Sequence, residues 1–335
     1  MNIQTTREQQ LLNWINLHTH FSCKALIMVS ADASFRRYFR FESNDKWIIA
    51  VDAPPEFESC AAFVNVASSY SKQGIKVPKV FAYDLELGFY CQEDFGDSLF
   101  SGRLNQQNCP QLYKKALAII PLIQKCTTTV EGRLPQYDTL LVDREVAMLK
   151  DWLFDRYLDI RLSKSELKTV QQALRSIGAN FLSQPYAGVH RDYHSRNLMV
   201  LGDEIGVIDF QDAVIGPITY DAVSLLKDCY QEWPKEWIES WLKAWHQEYY
   251  SEHSWENFKF WFDIVGMQRH TKVAGIFARL YIRDGKSGYL SDIPRTLKYL
   301  IEAASAYPEF RDFSSVIADK VLPKVLIKQQ SSVYA

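Results

Sequence analysis

The stretch that most constrains this chain is 188–212, in which two short apolar runs flank a polar loop. The loop contains Asp192, and Asn197 follows it five positions later. Asp209 lies at the end of the second apolar run. In phosphoryl transfer, one carboxylate orients the attacking hydroxyl group and accepts its proton, while an amide oxygen and a second carboxylate hold Mg²⁺ on the phosphates. The spacing therefore predicts Asp192 as the base, and Asn197 and Asp209 as metal ligands.

Composition narrows the class of protein. The 335 residues are enough for two domains, and a hydrophobic fraction of 47% excludes global disorder. A net charge of −2 argues against a nucleic-acid-binding surface, and the apolar runs are too short to span a membrane. The polar N-terminus lacks a signal peptide, and the six scattered cysteines form no CxxC pair. We therefore expect a cytoplasmic monomer with reduced thiols that binds neither nucleic acid nor membrane.

Three strands are predicted near the N-terminus, over 25–29, 35–41 and 47–51, because these segments alternate or are rich in β-branched residues. The polar turn at 30–34 could bind phosphates through its backbone N–H groups, and Ser34 could add a hydroxyl donor. An ordinary hairpin turn would have the same residues, so both interpretations stay open.

In the rest of the chain, the spacing of the hydrophobic residues predicts mainly helices. Two more strands are predicted over 79–83 and 88–92. Helices are predicted over 5–20, 56–73, 110–127, 143–183, 233–250 and 258–283. Four tryptophans recur every four residues in the fifth of these helices, which predicts a stripe that packs in the core: Trp233, Trp237, Trp241 and Trp245.

The sequence HRDYHSRNLMV, followed by GVIDFQDAVIGPITYDAVSLLKDCY, resembles the core of the aminoglycoside phosphotransferase and choline kinase family. It is most similar to the branch that phosphorylates N-acetylmuramate and N-acetylglucosamine at the anomeric hydroxyl, in cell-wall sugar recycling. The resemblance implies an α+β, two-lobed, protein-kinase-like fold. A small antiparallel-sheet lobe would cover 1–92 and bind the nucleotide, and a larger helical lobe would cover 93–335. ATP and Mg²⁺ are the implied cofactors, with a small amino sugar as the substrate.

The resemblance also implies roles for individual residues. The backbone groups of Glu93 and Phe95, in the linker at 93–97, would bind adenine. His190 and Asp221 would have structural roles beside the catalytic loop. Further candidates for substrate binding lie in and near the core motif: Glu145, His194, Arg196 and Gln211. A surface salt bridge is an equally good interpretation of Glu145.

One position departs from the kinase pattern. Kinases carry a lysine on the third strand that pairs with the phosphates, and Asp52 aligns with it here. Another cation must take that role, or the protein is catalytically inactive. Arg37 and Arg40, on the neighbouring strand, are the candidates. Without a lysine to pair with, Glu58 is interpreted as a solvated acid near a helix N-terminus.

The last informative helix carries basic residues on one face, namely Arg269, Lys272, Arg279 and Arg283. They predict either a cationic wall for a carboxylate or phosphate, or a buried ion-pair network with the acids of the core. A cationic wall would suit N-acetylmuramate, which has a lactyl carboxylate. Two alternatives remain, a kinase for an aminoglycoside, choline-like or other small alcohol, and a catalytically inactive kinase-fold binding protein.

Overall fold

The computed structural model describes residues 6–31 and 35–333, which form two compact units. The first unit comprises Met1–Arg103, Thr128–Arg133 and Asn197–Ala213. The second comprises Leu104–Thr127, Leu134–Arg196 and Val214–Ala335. The first unit thus extends past the predicted boundary at residue 92, because two later segments of the chain return to it.

A five-stranded antiparallel sheet forms the centre of the first unit, in the order β1-β2-β3-β5-β4. Its strands are β1 (Ile27–Ala31), β2 (Arg37–Ser43), β3 (Lys46–Asp52), β4 (Val80–Asp84) and β5 (Phe89–Glu93). All five predicted strands are therefore present, with their ends slightly shifted.

Different helices cover the two faces of this sheet. Helix α1 (Arg7–His18) buries Leu11, Trp14 and Ile15 in one cluster with inward-facing residues of the strands. Helix α2 (Cys60–Lys72) covers the other face, where Phe63 stacks on Tyr90 with ring centroids 4.7 Å apart. Side chains alternate along a strand, so adjacent residues of β2 or β3 face different helices.

Three short elements complete the first unit: helix α3 (Phe100–Arg103) and a small hairpin of β6 (Thr128–Thr129) with β7 (Gly132–Arg133). A second hairpin, β9 (Leu198–Leu201) with β10 (Glu204–Val207), is attached by backbone hydrogen bonds. Val200 N–H donates to Ser98 O at 2.8 Å, and Val207 N–H donates to Lys76 O at 2.8 Å. These bonds explain why residues far along the chain belong to the N-terminal unit.

The second unit is mainly helical, with one small sheet of β8 (Tyr186–Val189) and β11 (Val214–Pro217). Its α-helices are α4 (Cys109–Gln124), α5 (Thr139–Met148), α6 (Lys164–Leu182), α7 (Tyr220–Leu226), α8 (Lys235–Tyr249), α9 (Trp255–Asp284), α10 (Ile293–Ser305), α11 (Arg311–Val316) and α12 (Leu322–Val333). π-Helical turns cover Leu149–Leu158 and Ile317–Val321, and 3₁₀ turns cover Ser287–Asp292 and Pro308–Phe310. Across the described ranges, none of these helices is long and apolar enough to cross a membrane.

The predicted helix at 143–183 is interrupted in the structure. The π-helical segment that follows α5 ends at Asp159, whose φ of +47° is left-handed. Helix α6 then begins after Ser163, which forms a capping box with Glu166. This Ser-x-x-Glu pattern is a sequence signal for a helix start that the periodicity alone did not reveal.

The predicted stripe of four tryptophans differs in the structure, where Trp233 precedes α8 and the other three lie in that helix. Trp245 is buried, but the other three are only half-buried. Trp233 stacks on Trp237 with centroids 5.9 Å apart, and its Nε1 donates to Tyr113 Oη at 2.8 Å. Core packing therefore accounts for one of the four residues.

Candidate active site

The two predicted metal ligands lie together in the first unit, at the two ends of the β9–β10 hairpin. Asn197 Nδ2 donates to Asp209 Oδ2 at 3.2 Å, and Ile208 N–H donates to Asn197 O at 3.0 Å. Gln211 Nε2 donates to Asp209 Oδ1 at 2.8 Å. Asp209 has a φ of +64°, a conformation that costs energy for most side chains and is often kept at functional sites.

The chemistry of this pair suits Mg²⁺. Magnesium prefers hard oxygen ligands, and it is commonly held by one or two protein groups together with substrate phosphates. Asp209 and Asn197 offer a carboxylate and an amide oxygen. Within residues 6–31 and 35–333, no cluster of three or more His, Cys, Asp or Glu residues could hold a metal ion. The role of these two residues as metal ligands stays a prediction.

The catalytic loop, which begins at His190 and carries Asp192, belongs to the second unit. There the buried carboxylate of Asp221 supports the loop backbone. Asp221 accepts the N–H of His190 at 2.8 Å and the N–H of Arg191 at 3.0 Å. Burial raises the pKa of Asp221 to about 7, although these two N–H groups partly oppose the shift. The Asp192 N–H in turn donates to His190 Nδ1 at 3.3 Å. Asp221 and His190 thus fix the backbone that carries Asp192.

Cations of α9 control the charge of Asp192, which is half-buried. Arg269 Nη1 lies 3.8 Å from Asp192 Oδ1. Burial alone would raise the pKa of Asp192, but the charges of Lys272 and Arg269 lower it well below the ordinary range. The carboxylate is therefore ionised at neutral pH and can accept a proton from a hydroxyl group.

Glu145 is the centre of a buried network, with only 5% of its surface exposed. Its carboxylate lies 2.7 Å from Arg191 Nη2 and 3.0 Å from Lys272 Nζ. Gln268 Nε2 donates to it at 2.7 Å, and Tyr137 Oη donates at 3.3 Å. The surface-salt-bridge interpretation of Glu145 is therefore wrong, while its contact with substrate stays a prediction.

The basic face of α9 divides into two parts. Arg269 and Lys272 are buried and pair with the acids of the core, as in the second of the two predicted alternatives. Arg283 pairs with Asp284 at 2.7 Å. Arg279 is half-buried, burial lowers its pKa, and its Nε has no hydrogen-bond partner among the described residues. A cationic wall for a substrate carboxylate would therefore depend on Arg279.

Aromatic residues that the sequence did not single out lie beside the catalytic loop. The Arg196 guanidinium lies 3.7 Å from the ring centroid of Tyr230, and the His194 ring meets the same ring edge-on at 5.1 Å. Phe277 lies 6.1 Å from Tyr230 and stacks on Tyr289 at 5.5 Å. These aromatics come from three distant segments with no shared spacing, so no sequence pattern identifies them.

The predicted nucleotide-binding cations already face carboxylates. Arg37 pairs with the buried Asp52, and Arg40 pairs with Asp94 at 2.5 Å and Asp97 at 3.0 Å. These pairs count against Arg37 and Arg40 as phosphate ligands, and that role stays a prediction. Ser34 lies outside the described residues.

The linker candidates have well-defined surroundings in the first unit. Glu93 ends β5, and its side chain pairs with Lys76 at 3.3 Å. The ring of Phe95 lies so close to Gly206 that a Cβ there would come within 2.7 Å of it. The role of their backbone groups in adenine binding stays a prediction.

Glu58 is not a solvated acid, contrary to its sequence interpretation. Its Oε2 lies 2.9 Å from Nη2 of Arg36, a residue with only 4% of its surface exposed. The sequence did not indicate this pair, because its members lie in separate connecting segments, one before β2 and the other before α2.

Comparison with known proteins is consistent with this site. The sequence matches the phosphotransferase enzyme family over residues 26–256, which is more than half of the chain. The protein therefore belongs to that family.

Two relatives are both named N-acetylmuramate/N-acetylglucosamine kinase. The protein from Pseudomonas aeruginosa is 39% identical over 298 residues, covering 88% of each chain. The protein from Neisseria meningitidis serogroup B is 36% identical over 323 residues, covering 94% of this chain and 96% of its own.

Solved structures confirm the predicted protein-kinase-like α+β fold. A choline/ethanolamine kinase family protein from Mesorhizobium loti has a TM-score of 0.63 at 13% identity, covering 93% of this chain and 99% of its own. The amicoumacin kinase hAmiN has a TM-score of 0.62 at 16% identity, covering 90% and 94%.

Proposed function

We propose that this protein is an ATP-dependent kinase that phosphorylates N-acetylmuramate, N-acetylglucosamine or both at the anomeric hydroxyl group, in the cytoplasm and in the recycling of cell-wall sugars. The observation that carries the proposal is the 35–39% identity, over nearly the whole chain, to three relatives named as kinases of these two sugars. The presence of Asp192, Asn197 and Asp209 supports an active enzyme rather than an inactive binding protein.

Several residues have separate roles in the proposed phosphoryl transfer. Asp192 accepts the proton of the sugar hydroxyl, and the charges of Lys272 and Arg269 keep it ionised. Asn197 and Asp209 would hold Mg²⁺, which would supply positive charge to neutralise the phosphates. Because the transition state is loose, most of the catalysis comes from positioning and charge stabilisation.

The sugar contacts are proposed in the second unit. Binding sites for small molecules combine aromatic walls with a few polar groups, and Tyr230, His194 and Arg196 offer both beside the catalytic loop. Arg279 is the proposed partner of the lactyl carboxylate of N-acetylmuramate. Gln211 is a weaker candidate, since its amide already bonds to Asp209.

The test is a panel of acceptors incubated with Mg·ATP. We expect free N-acetylmuramate or N-acetylglucosamine to yield 1-phosphates, detected by mass spectrometry and NMR. Their methyl glycosides should give none, because the glycoside blocks the anomeric oxygen and leaves every other hydroxyl in place. Asp192→Asn is the control, and it should bind ATP without turnover because an amide cannot accept the proton.

Other outcomes would change the assignment. Phosphorylation of the methyl glycosides at a comparable rate would move the reacting oxygen elsewhere on the ring. Activity only on an aminoglycoside or choline would replace the substrate class. ATP binding without transfer to any acceptor would favour a binding protein.

A further inference from the structure

The register of the sheet explains why Asp52 cannot substitute for a phosphate-binding lysine. Asp52 lies opposite Arg37 of β2 and Phe89 of β5, and directly opposed residues share a face of the sheet. This is the face that α1 covers, and Arg7 of α1 pairs with Asp52 at 2.6 Å. The carboxylate therefore belongs to a structural ion pair on the α1 side.

A valine takes the corresponding place on the α2 side. Val51 lies opposite Tyr38 of β2 and Tyr90 of β5, and Tyr90 stacks on Phe63 of α2. In kinases the strand lysine pairs with a glutamate of the helix on this face. Val51 has no charge, so the cation must come from a different residue.

Arg36 has the geometry that this role requires. It precedes β2 directly, it is almost fully buried, and its guanidinium pairs with Glu58 at 2.9 Å. Glu58 Oε1 also accepts the Phe35 N–H at 3.2 Å. Glu58 precedes Ser59, the N-cap of α2. The pair thus joins a strand to the helix on the α2 side, as the lysine–glutamate pair does in kinases.

Arg36 is also electrostatically linked to the metal-binding carboxylate within the same unit. Burial alone would lower the pKa of Arg36, but that pKa is raised overall, and the carboxylates of Glu58 and Asp209 are the anions that contribute to this at neutral pH. Packing provides a second link, since Phe63 of α2 stacks at 4.7 Å on Phe210, the residue after Asp209.

We propose that Arg36, oriented by Glu58, binds the phosphates of ATP in this protein in place of the strand lysine. The inference rests on the proposed function, because it presumes a nucleoside triphosphate substrate. A planar guanidinium can form two parallel hydrogen bonds to a phosphate, so arginine is chemically suited to the task. Arg37 and Arg40 are weaker candidates, since both lie against carboxylates elsewhere in the unit.

Calorimetry without sugar tests the proposal directly, comparing Mg·ATP with adenosine as ligands. We expect Arg36→Met to weaken Mg·ATP binding by about tenfold or more while adenosine binding is unchanged, because adenosine has no phosphates. In steady-state assays kcat/KM for ATP should fall by about 10²-fold or more, as for other charge-stabilising groups. Arg36→Lys should restore part of both losses.

Arg7→Met is the matched control, because it removes an arginine from a different ion pair of the same unit. It should bind Mg·ATP like the wild type. Loss of adenosine binding would indicate that Arg36→Met fails to fold. In that case Glu58→Gln tests whether Arg36 binds the phosphates. That variant keeps the guanidinium but removes its anion, so it should raise the KM for ATP and leave adenosine binding unchanged.

The role of Arg36 would be overturned if Arg36→Met had the Mg·ATP affinity and turnover of the wild type. If Arg36→Met does not fold, the same result in Glu58→Gln would overturn it. A wild-type protein that binds Mg·ATP but phosphorylates no sugar would overturn only the proposed substrate. A wild-type protein that binds no Mg·ATP would overturn both.

Discussion

At the scale of single residues, the charge of Asp192 depends on a lysine that need not contact the substrate. Lys272 is the first of the cations that lower the pKa of Asp192, and it also pairs with Glu145 at 3.0 Å. A carboxyl group with a depressed pKa stays ionised even when the pH falls below the ordinary pKa of such a group. Asp192 should therefore not limit the rate anywhere between about pH 6 and 8.

We predict that Lys272→Met moves the acid limb of the kcat/KM profile to higher pH. Without that charge the pKa of Asp192 rises, so the base is lost at a pH where the wild type still retains it. The same change leaves Glu145 with fewer cations, so a lower melting temperature is also expected. Both are measured by a pH series of initial rates and by thermal unfolding.

Lys235→Met is the control for this prediction, since Lys235 pairs with Glu302 on an exposed surface of the same unit. An unshifted acid limb in Lys272→Met would show that Lys272 does not set the charge of the base.

Residue types and spacing lead to Asp192, Asn197 and Asp209 as the predicted base and metal ligands, and the structure brings Asn197 and Asp209 together. Their roles stay predictions. Spacing could not predict the Glu145 network, which joins Glu145 to Gln268 across 123 positions. It also did not indicate the Arg36–Glu58 pair, because Arg36 precedes β2 and Glu58 precedes the N-cap of α2, so neither belongs to a periodic element.

At the scale of elements, the close approach of α5 and α9 depends on a glycine. A Cβ on Gly275 would lie 2.3 Å from the backbone carbon and oxygen of Met148, the last residue of α5. Backbone atoms cannot rotate away as a side chain can, so the helices would have to separate. Gly266, on the same helix, meets nothing closer than 3.9 Å.

We predict that Gly275→Ala destabilises the protein by about 1–3 kcal/mol or more through overpacking. Gly266→Ala is the matched control and should be neutral or stabilising by up to about 1 kcal/mol, since alanine is the better helix former. Chemical unfolding of both variants measures the difference. Equal stabilities would mean that α5 and α9 can move apart at little cost.

The strands were more predictable than the helix boundaries, for a physical reason. Alternation identifies β2, in which buried residues recur at every second position. The central strands β3 and β5 are continuous apolar runs because helices cover both faces of the sheet and nearly every residue there is buried. The interruption of the long predicted helix depends on the left-handed Asp159 and on the widened turns of Leu149–Leu158, where no glycine or proline marks the change. Local periodicity has no signal for such turns.

At the scale of the whole molecule, the cysteine thiols of both units are buried. All six cysteines are free and buried. Burial raises the pKa of Cys60, Cys126 and Cys229 to about 11 and that of Cys91 to about 12. Reaction with disulfide reagents needs an accessible thiolate, so these residues should be inert in the native state.

We predict that the native protein titrates almost no thiols with a chromogenic disulfide reagent near neutral pH, and that all six react in urea. The labelling rate should follow unfolding, because each cysteine must first leave the core. Rapid labelling of one cysteine in otherwise native protein would contradict this and identify a segment that opens locally.

The stacked tryptophans at the N-terminal end of α8 have an optical consequence. Trp233 and Trp237 lie 5.9 Å apart with nearly parallel rings, and Trp241 lies 4.6 Å from Tyr113. Aromatic transitions couple at such separations, so these rings should contribute a far-ultraviolet dichroic band that does not come from the backbone. The three tryptophans all belong to the second unit, so loss of a band from their mutual coupling would report on that unit. Its loss at a lower temperature than the labelling of Cys91 in the first unit, followed by peptide mapping, would reveal that the two units melt separately.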